Sequence, residues 1–468
     1  MVEILLGVQV FLCALPWLFV VRKRLHPLSA PIVCGLLFAH PYVAQPIARL
    51  LGGLRLITPE MLEFGLLVSS LALAAFYLGW LWGRGVQKPS GNGSWALDSQ
   101  RLMIAAAALT VLAVIGWIVF AGGSGGVGQL YSEKHGQAAN WLGVSGYIYN
   151  LPAFLAPAVC LLLLAAGLPG PRPRQSRAYR GAIALSGAWL VHVILMGSRG
   201  GFFLLAAPWL VFLIGRRGMR TRTVLQSVIG LGVVAFGFQF IVVFRDFTHL
   251  GSTDWKNELF SEERWQQVVT YNTFLPDPSL RGNTEIDYHC AETYLFWQNG
   301  EYSWGAALIN PIINFLPRHL FPDKASMMLR PVSRREVLFR GVGWEPNPGS
   351  CPTGPGEMFT EFGFFSLMFW FLIGAVMARV DATLGSLSDP RQIGYYAGAL
   401  CGLLHLVLQS YGAGFMAYLF FTGPLWVGFR YARSRRIIRL AVRAVPNGAA
   451  PARKGWAAVP LSAGRAKM

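Results

Sequence analysis

The chain has 468 residues, of which 54% are hydrophobic and only 13% are charged, and its formal net charge is +18. Soluble domains carry about 25% charged residues, so this composition excludes an ordinary soluble protein and indicates a polytopic membrane protein. A basic excess of this size also raises the question of a nucleic-acid partner, which the position of the charges decides.

The first apolar run, residues 4–21, is followed directly by Arg22, Lys23 and Arg24. A signal peptide carries its positive charge before the apolar run and a small-residue cleavage site after it. We therefore interpret this run as a retained first span. Ten further apolar stretches predict eleven spans in all, at residues 28–50, 61–82, 102–121, 143–166, 181–197, 202–215, 224–243, 359–378, 393–411 and 412–429.

The distribution of the basic residues along the sequence agrees with this span count. If residues 22–24 are cytoplasmic and each span changes side, the cytoplasmic segments hold 26 of the 40 Lys and Arg but only three of the 22 acids. These segments are residues 22–27, 84–101, 167–180, 215–223, 379–392 and 430–468. Such a bias is the positive-inside rule. The charge therefore indicates topology rather than nucleic acid, and it predicts a periplasmic N-terminus and a cytoplasmic C-terminus.

Four regions follow from the spans: a bundle of eight spans over residues 1–243, a periplasmic loop over 244–358, three spans over 359–429 and a basic tail over 430–468. The loop has ten basic and 14 acidic residues. Long connections of mixed composition usually fold and carry function. Within the loop, residues 304–317 are apolar but too short to span, which predicts a re-entrant or interfacial helix.

The six cysteines fall into two groups. Those in predicted spans are read as small apolar residues: Cys13, Cys34, Cys160 and Cys401. Cys290 and Cys351 both lie in the loop, where an oxidising compartment would allow them to form a disulfide. Two buried free thiols are the alternative, and the sequence leaves both open.

Arg199 interrupts an apolar stretch. Between residues 181 and 214, the only ionisable side chains are His192 and Arg199. An arginine at the bilayer centre costs about 2.5–3.5 kcal/mol on insertion scales, so we predict two short spans with Arg199 at the outward membrane face. Its permanent charge and five donors suit a phosphate. The alternative is that it only anchors a helix end.

Further outward-facing charges follow. The cations are Arg245, Arg318, Lys324, Arg330 and Arg334, with Asp246, His319 and Glu357 among them. Such a set suits a lipid-linked diphosphate, because arginines hold the diphosphate while a carboxylate or histidine deprotonates an attacking hydroxyl. Each residue also has a structural reading: an interfacial anchor for Arg245, a solvated face for Arg330 and Arg334, or a helix N-terminal acid for Glu357. His319 need be no more than a loop histidine without a role.

Other chemistries lack their motifs. There is no His-Glu-x-x-His or Cys-x-x-Cys, and His289 with Glu292 lacks a second ligand pair, so we predict no metal. The glycine run at residues 122–126 has no following Lys-Ser/Thr, so we predict no nucleotide cofactor.

Three segments carry a family resemblance. They are Met196-Gly-Ser-Arg199-Gly-Gly201, Asn314-Phe-Leu-Pro-Arg318 with Lys324 after it, and Thr353-x-x-Gly356-Glu357-Met-Phe359-x-x-Phe362-Gly363. In these segments, and in span order over roughly residues 60–430, the chain resembles the bacterial O-antigen polymerases, which are Wzy-type oligosaccharide repeat-unit polymerases. Phe359 and Glu361 stand where relatives tend to have Tyr and Asn.

The resemblance implies an all-α, GT-C-like glycosyltransferase of the inner membrane that uses undecaprenyl-diphosphate-linked oligosaccharide units and needs neither cofactor nor metal. It implies a chain-length regulator and a flippase as partners. On this reading Arg199, Arg245, Arg318 and Lys324 hold the diphosphate. Glu357, or secondly His319, is the catalytic base, and Arg330, Arg334 and Asp246 make further substrate contacts.

Three other functions stay open at this point. An O-antigen ligase shares the topology and the donor but transfers glycan to lipid A core. A polysaccharide or lipid transporter should show internal repeats or polar residues along several spans, and the sequence has neither. A non-catalytic scaffold would tolerate the loss of every outward cation.

Overall fold

The computed structural model describes residues 1–21, 25–26, 28–52, 57–85, 96–123, 151–195, 199–217, 262, 285–314, 320–343, 353–382, 384, 390–408 and 411–434. Apart from one pair of two-residue strands, the regular structure in these ranges is helical. The described part of the chain is therefore all-α, in agreement with the predicted fold class.

The first half of the chain supplies eight helices to the described part: α1 (Val2–Val21), α2 (Ala30–Ala39), α3 (Gln45–Gly52), α4 (Pro59–Gly85), α5 (Ser99–Gly123), α6 (Leu155–Gly167), α7 (Arg172–Leu195) and α8 (Arg199–Arg217). The second half supplies α9 (Glu285–Asn299), α10 (Ala306–Asn314), α11 (Arg334–Val342), α12 (Gly354–Phe362), α13 (Ser366–Asp381), α14 (Pro390–Leu408) and α15 (Tyr411–Ala432). Single 3-10 turns lie at Leu151–Phe154, Lys324–Met327 and Gly363–Phe365, and strands β1 (Ala96–Leu97) and β2 (Arg433–Ser434) pair antiparallel.

Five helical stretches in these ranges are long and apolar enough to cross a membrane. They are Val2–Val21, Ala30–Leu51, Pro59–Gly85, Ser99–Val119 and Gly354–Asp381. Large apolar side chains also stand exposed along α1 and α5, among them Phe11, Leu18 and Ile118. Exposed apolar surface of this extent marks a face that lies against lipid or protein. The protein is therefore membrane-embedded.

These five stretches coincide with predicted spans one to four and span nine. Spans five and seven coincide with the shorter apolar helices Leu151–Gly167 and Leu204–Leu213. Span eight, residues 224–243, lies outside the described residues. The total of eleven therefore stays a prediction.

Helix ends with many basic residues meet at one end of the bundle, which we call the basic end. The carboxylate of Asp381, at the end of α13, accepts the backbone N–H of Ala30 at 2.9 Å and the indole N–H of Trp80 at 2.7 Å. The start of α14 lies here too, because Tyr396 donates to the Leu28 carbonyl. The described residues of the predicted cytoplasmic segments 84–101, 379–392 and 430–468 thus lie near one another at this end, those of the first and last segments through the β1–β2 pair.

The loop helices pack at the opposite end, which we call the loop end. Helix α9 lies against the start of α4, and it also contacts α11, α12 and the π-helical segment between α2 and α3. The described residues of the predicted loop and span mouth, 285–314, 320–343 and 353–363, thus form a folded cap on the bundle. The predicted short helix within residues 304–317 is present as α10; its depth in the membrane stays a prediction.

The buried core has two adjoining parts. One is built by α5 to α8 with α14 and α15, and the other by α2, α4 and α13 with the loop helices α9 and α11. Because Ile286, Ala291 and Phe296 of α9 are buried in the second part, the cap shares the core of the membrane helices.

Between α2 and α3 the helix widens into a π-helical segment, His40–Ala44. Pro41 lies within the widened turn and Pro46 follows it, and proline cannot donate the backbone bond that an α-helix needs. The N–H of Gln45 instead reaches the carbonyl of His40, five residues back. Such π-bulges frequently lie at functional sites, and this one carries Tyr42 into the cap.

Candidate functional site

Helix α9 carries several buried polar side chains. Asp287, His289, Glu292 and Thr293 are each at most 1% exposed. Burying a polar or charged group is costly unless it is paired. The first three have their partners on elements far away in the sequence, so α9 is the junction between the loop and the membrane helices.

The start of α9 is held by α3. Arg49 donates to the carboxylate of Asp287 at 2.5 Å, and both side chains are buried. One turn earlier, the side-chain oxygen of Gln45 accepts the backbone N–H of Ile286 at 3.1 Å. The first N–H groups of a helix have no partner within it, so Gln45 satisfies one of them from another helix.

His289, in the middle of α9, bonds through both ring nitrogens. Nε2 lies 2.9 Å from the carbonyl oxygen of Gly65, and Nδ1 lies 3.2 Å from Oγ1 of Thr353. Thr353 Oγ1 also bonds to the hydroxyl of Tyr42. A chain of three buried side chains therefore links the π-helical segment, the residue before α12 and α9.

Because the His289 imidazole is buried, its pKa is lowered from 6.5 to about 4. Between those values the unfolded chain binds a proton that the folded chain does not, so stability should fall as the pH drops from 6.5 towards 4. The full shift corresponds to about 3 kcal/mol. We expect thermal unfolding in detergent to show a smaller loss of Tm between about pH 7.5 and pH 5 for His289→Gln than for the unaltered chain. Equal losses would contradict this role of His289.

Glu292, one turn after His289, pairs with the first residue of α11. Arg334 donates through Nε and Nη2 to the two carboxylate oxygens, at 2.8 and 2.9 Å. Burial raises the pKa of Glu292, and the Arg334 guanidinium opposes that rise. The bidentate pair fixes α11 on α9. Arg334 was predicted as a further substrate contact, and the structure gives it this pairing role within the cap.

The block from Thr353 to Gly363 forms α12 and the turn into α13. Thr353 is the N-cap residue, and a threonine cap usually stabilises a helix by about 1 kcal/mol through a side-chain bond to its first turn. Here the hydroxyl makes no capping bond. A Cβ on Gly354 would lie 1.6 Å from the carbonyl oxygen of Leu406, so glycine is what lets α12 start against α14.

Glu357 stands in the first turn of α12 and is half-buried, and its backbone N–H donates to the Thr353 carbonyl at 2.9 Å. Acids are favoured in the first turn by the helix dipole. Phe359 is buried among the rings of Phe64, Tyr302 and Phe364.

The end of α12 is held by hydrogen bonds from the segment before α10. Ser303 and Trp304 donate their backbone N–H groups to the carbonyls of Thr360 and Glu361, at 3.2 and 2.8 Å. Gly363 has φ +55°, a conformation that favours glycine, and a Cβ there would meet the ring of Tyr302 at 3.0 Å. Glycine at position 363 is therefore favoured both by the backbone conformation and by the close approach of Tyr302.

Helix α10 holds the next part of the loop. The side chain of Asn310 accepts the backbone N–H of Leu329 at 2.9 Å and donates to its carbonyl at 2.8 Å. This bond fixes the chain just before Arg330, which is exposed. Lys324, predicted to hold diphosphate, is buried within its 3-10 turn.

The predicted site residues are described to different extents. Arg199 is the first residue of α8. Its side chain lies outside the described residues. Four predicted residues also lie outside them: Arg245, Asp246, Arg318 and His319. Proximity of Arg199, Arg245 and Arg318 therefore stays a prediction.

Of the two cysteines in the predicted disulfide, the structure describes one. Cys290 is a buried free thiol packed on Gly65, where a Cβ would lie 2.4 Å from its sulfur. Cys351 lies outside the described residues. Pairing of the two cysteines stays a prediction.

Sequence reasoning missed the junction residues Tyr42, Gln45, Arg49 and Asp287. One signal was available: Arg49 is an ionisable residue at the end of an apolar span, and such residues almost always have a partner. Asp287, its partner, is 238 residues away, and a single sequence gives no means of joining them.

Among the residues that the structure describes, no group of three or more His, Cys, Asp and Glu side chains is placed to hold a metal ion. No protein-family model, curated protein or solved structure matches this chain.

Proposed function

We propose that this chain polymerises undecaprenyl-diphosphate-linked oligosaccharide units into O-antigen or a related surface polysaccharide. It would do so as a GT-C-like glycosyltransferase with eleven spans in the bacterial inner membrane, with the cap on the periplasmic side and the basic end in the cytoplasm. The basic residues of the predicted cytoplasmic segments favour this orientation.

The observation that carries the proposal is the position of Glu357. Glu357 is half-buried and lies in the first turn of α12, at the mouth of a span. The same folded cap also contains Lys324, Arg330 and Arg334. Helices α8 and α12, which begin at Arg199 and Gly354, both pack on α14. Two of the three segments that carry the family resemblance thus share one neighbouring helix.

The proposed reaction is a displacement at the anomeric carbon of the growing glycan. The Glu357 carboxylate takes the proton of a sugar hydroxyl on the acceptor unit, and the hydroxyl oxygen forms the new bond to that carbon. The bond from the carbon to the diphosphate oxygen breaks, and the undecaprenyl diphosphate leaves with the electron pair. Arg199, Arg245, Arg318 and Lys324 would stabilise the negative charge that develops on it.

The test is complementation of a strain from which the gene has been deleted, read as glycan length on a gel. Removing a general base typically costs about 10²–10⁴-fold in rate, so Glu357→Gln should abolish long glycan, and Arg199→Ala should do the same. The matched control is Arg430→Ala at the basic end, where Arg430 stacks on Trp426; it should keep long glycan. Immunoblots must show equal protein levels.

Two outcomes would overturn the proposal. Long glycan made by both Glu357→Gln and Arg199→Ala would remove the proposed site. Polymer that accumulates on the lipid carrier in the deletion strain would instead assign the protein as a ligase, since a strain without its polymerase leaves single units on the lipid A core.

A further inference from the structure

The contacts around Thr353 join three elements that are distant in the sequence. Tyr42 comes from the π-helical segment, His289 from α9, and Thr353 is the N-cap residue of α12. All three side chains are at most 1% exposed. Water cannot reach these hydroxyls and ring nitrogens, so each must form its hydrogen bond with a neighbouring protein group.

The neutral form of the His289 ring sets the direction of each of these hydrogen bonds. The Gly65 carbonyl can only accept, so Nε2 of His289 carries the proton and donates to it. In the neutral ring Nδ1 is then an acceptor, so the Thr353 hydroxyl donates to Nδ1. The lone pairs of Thr353 Oγ1 in turn accept the hydroxyl proton of Tyr42. The low pKa of His289, caused by burial, favours the neutral ring that this order requires.

The Thr353 hydroxyl bonds to Tyr42 and His289 and does not form the usual N-cap bond to the first turn of α12. The second residue of α12 is Pro355, which has no N–H to offer, and the hydroxyl makes no bond to the first turn. The Thr353 carbonyl nevertheless accepts the N–H of Glu357. A shift of Thr353 is therefore transmitted directly to Glu357, which follows one turn later on the same side of the helix.

We propose that Tyr42, Thr353 and His289 are positioning residues, which hold the first turn of α12 so that the Glu357 carboxylate meets the acceptor hydroxyl. This inference rests on the proposed function. Because the three side chains act through Glu357, loss of a bond in the chain should lower kcat and leave KM for the lipid-linked donor unchanged. A misplacement of about 1 Å can cost about 10²-fold in rate.

The experiment uses the full-length protein purified into liposomes with lipid-linked repeat units extracted from the deletion strain. Thr353→Val removes the hydroxyl at nearly constant shape and should lower kcat by about 10–10²-fold; Thr353→Ser should restore it. Tyr42→Phe removes a single hydroxyl and should give a smaller loss of kcat. It remains informative if Thr353→Val does not fold.

A double-mutant cycle separates positioning from general support of the fold. In a Glu357→Gln background, Thr353→Val should lower kcat no further, because residues that act through one group are not additive. An additive loss, a changed KM or an unchanged kcat in Thr353→Val and Tyr42→Phe would overturn the inference alone. A wild-type chain that makes no polymer would overturn the proposed function, and the positioning role with it.

Discussion

Asp287→Leu is expected to be strongly destabilising, by about 3–5 kcal/mol, because it leaves the Arg49 guanidinium buried without its carboxylate. The side chains of Arg49 and Asp287 are 9% and 0% exposed, so water cannot replace the lost partner. Arg49→Met should destabilise similarly for the converse reason. Thermal unfolding of the purified protein in detergent, followed by tryptophan fluorescence, measures both.

The double variant Arg49→Met with Asp287→Leu should recover much of that loss, since apolar side chains of similar volume often replace a buried ion pair at little cost. The chain also offers a matched surface pair. Arg340 and Glu301 lie 3.5 Å apart with side chains 60% and 42% exposed, so Arg340→Met should change stability by less than about 1 kcal/mol. A double variant as unstable as either single one would show that the charges are not what holds α9 to α3.

Much of the membrane part could be predicted from the sequence because its signal is local. A run of about twenty apolar residues must be helical in lipid, so residues 4–21 and 61–82 were placed within a few residues of α1 and α4. The stretch 304–317 was also recognised as too short to span, and α10 is short. Neither prediction depends on which other elements the helix packs against.

The cap could not be predicted because its signal is not local. Asp287, His289 and Glu292 have the composition of a solvated loop, and they are buried only because Arg49, Thr353 and Arg334 lie beside them. A charged residue is expected to be exposed to solvent unless a partner for it in the core can be named. The sequence therefore predicts a set of loop cations, and it misses the buried polar contacts of α9.

The two glycines at the ends of α12 are explained only by the structure. Gly354 abuts the Leu406 carbonyl, and Gly363 combines φ +55° with contact to Tyr302. In both places the backbone of α12 is fixed by what lies next to it. A glycine in the sequence predicts freedom or close approach, and only the fold distinguishes them.

Gly374→Ala is expected to separate the two helices that connect the basic end to the cap. A Cβ on Gly374 of α13 would lie 2.0 Å from the Phe76 carbonyl oxygen, and one on Gly79 of α4 would lie 1.8 Å from that of Phe371. Small residues let membrane helices approach this closely. Because backbone atoms cannot yield as side chains do, the cost should reach or exceed about 3 kcal/mol.

The same change should also reduce polymer formation. Helix α13 follows α12 through the single turn Gly363–Phe365, so a shift of α13 would displace Glu357 as well. Gly187→Ala on α7 is the matched control, because nothing lies within 4 Å of its added Cβ and alanine favours helix over glycine. That variant should melt no lower than the unaltered chain. If Gly374→Ala melts at the same temperature as Gly187→Ala, the close crossing of α4 and α13 is not what sets the position of the cap.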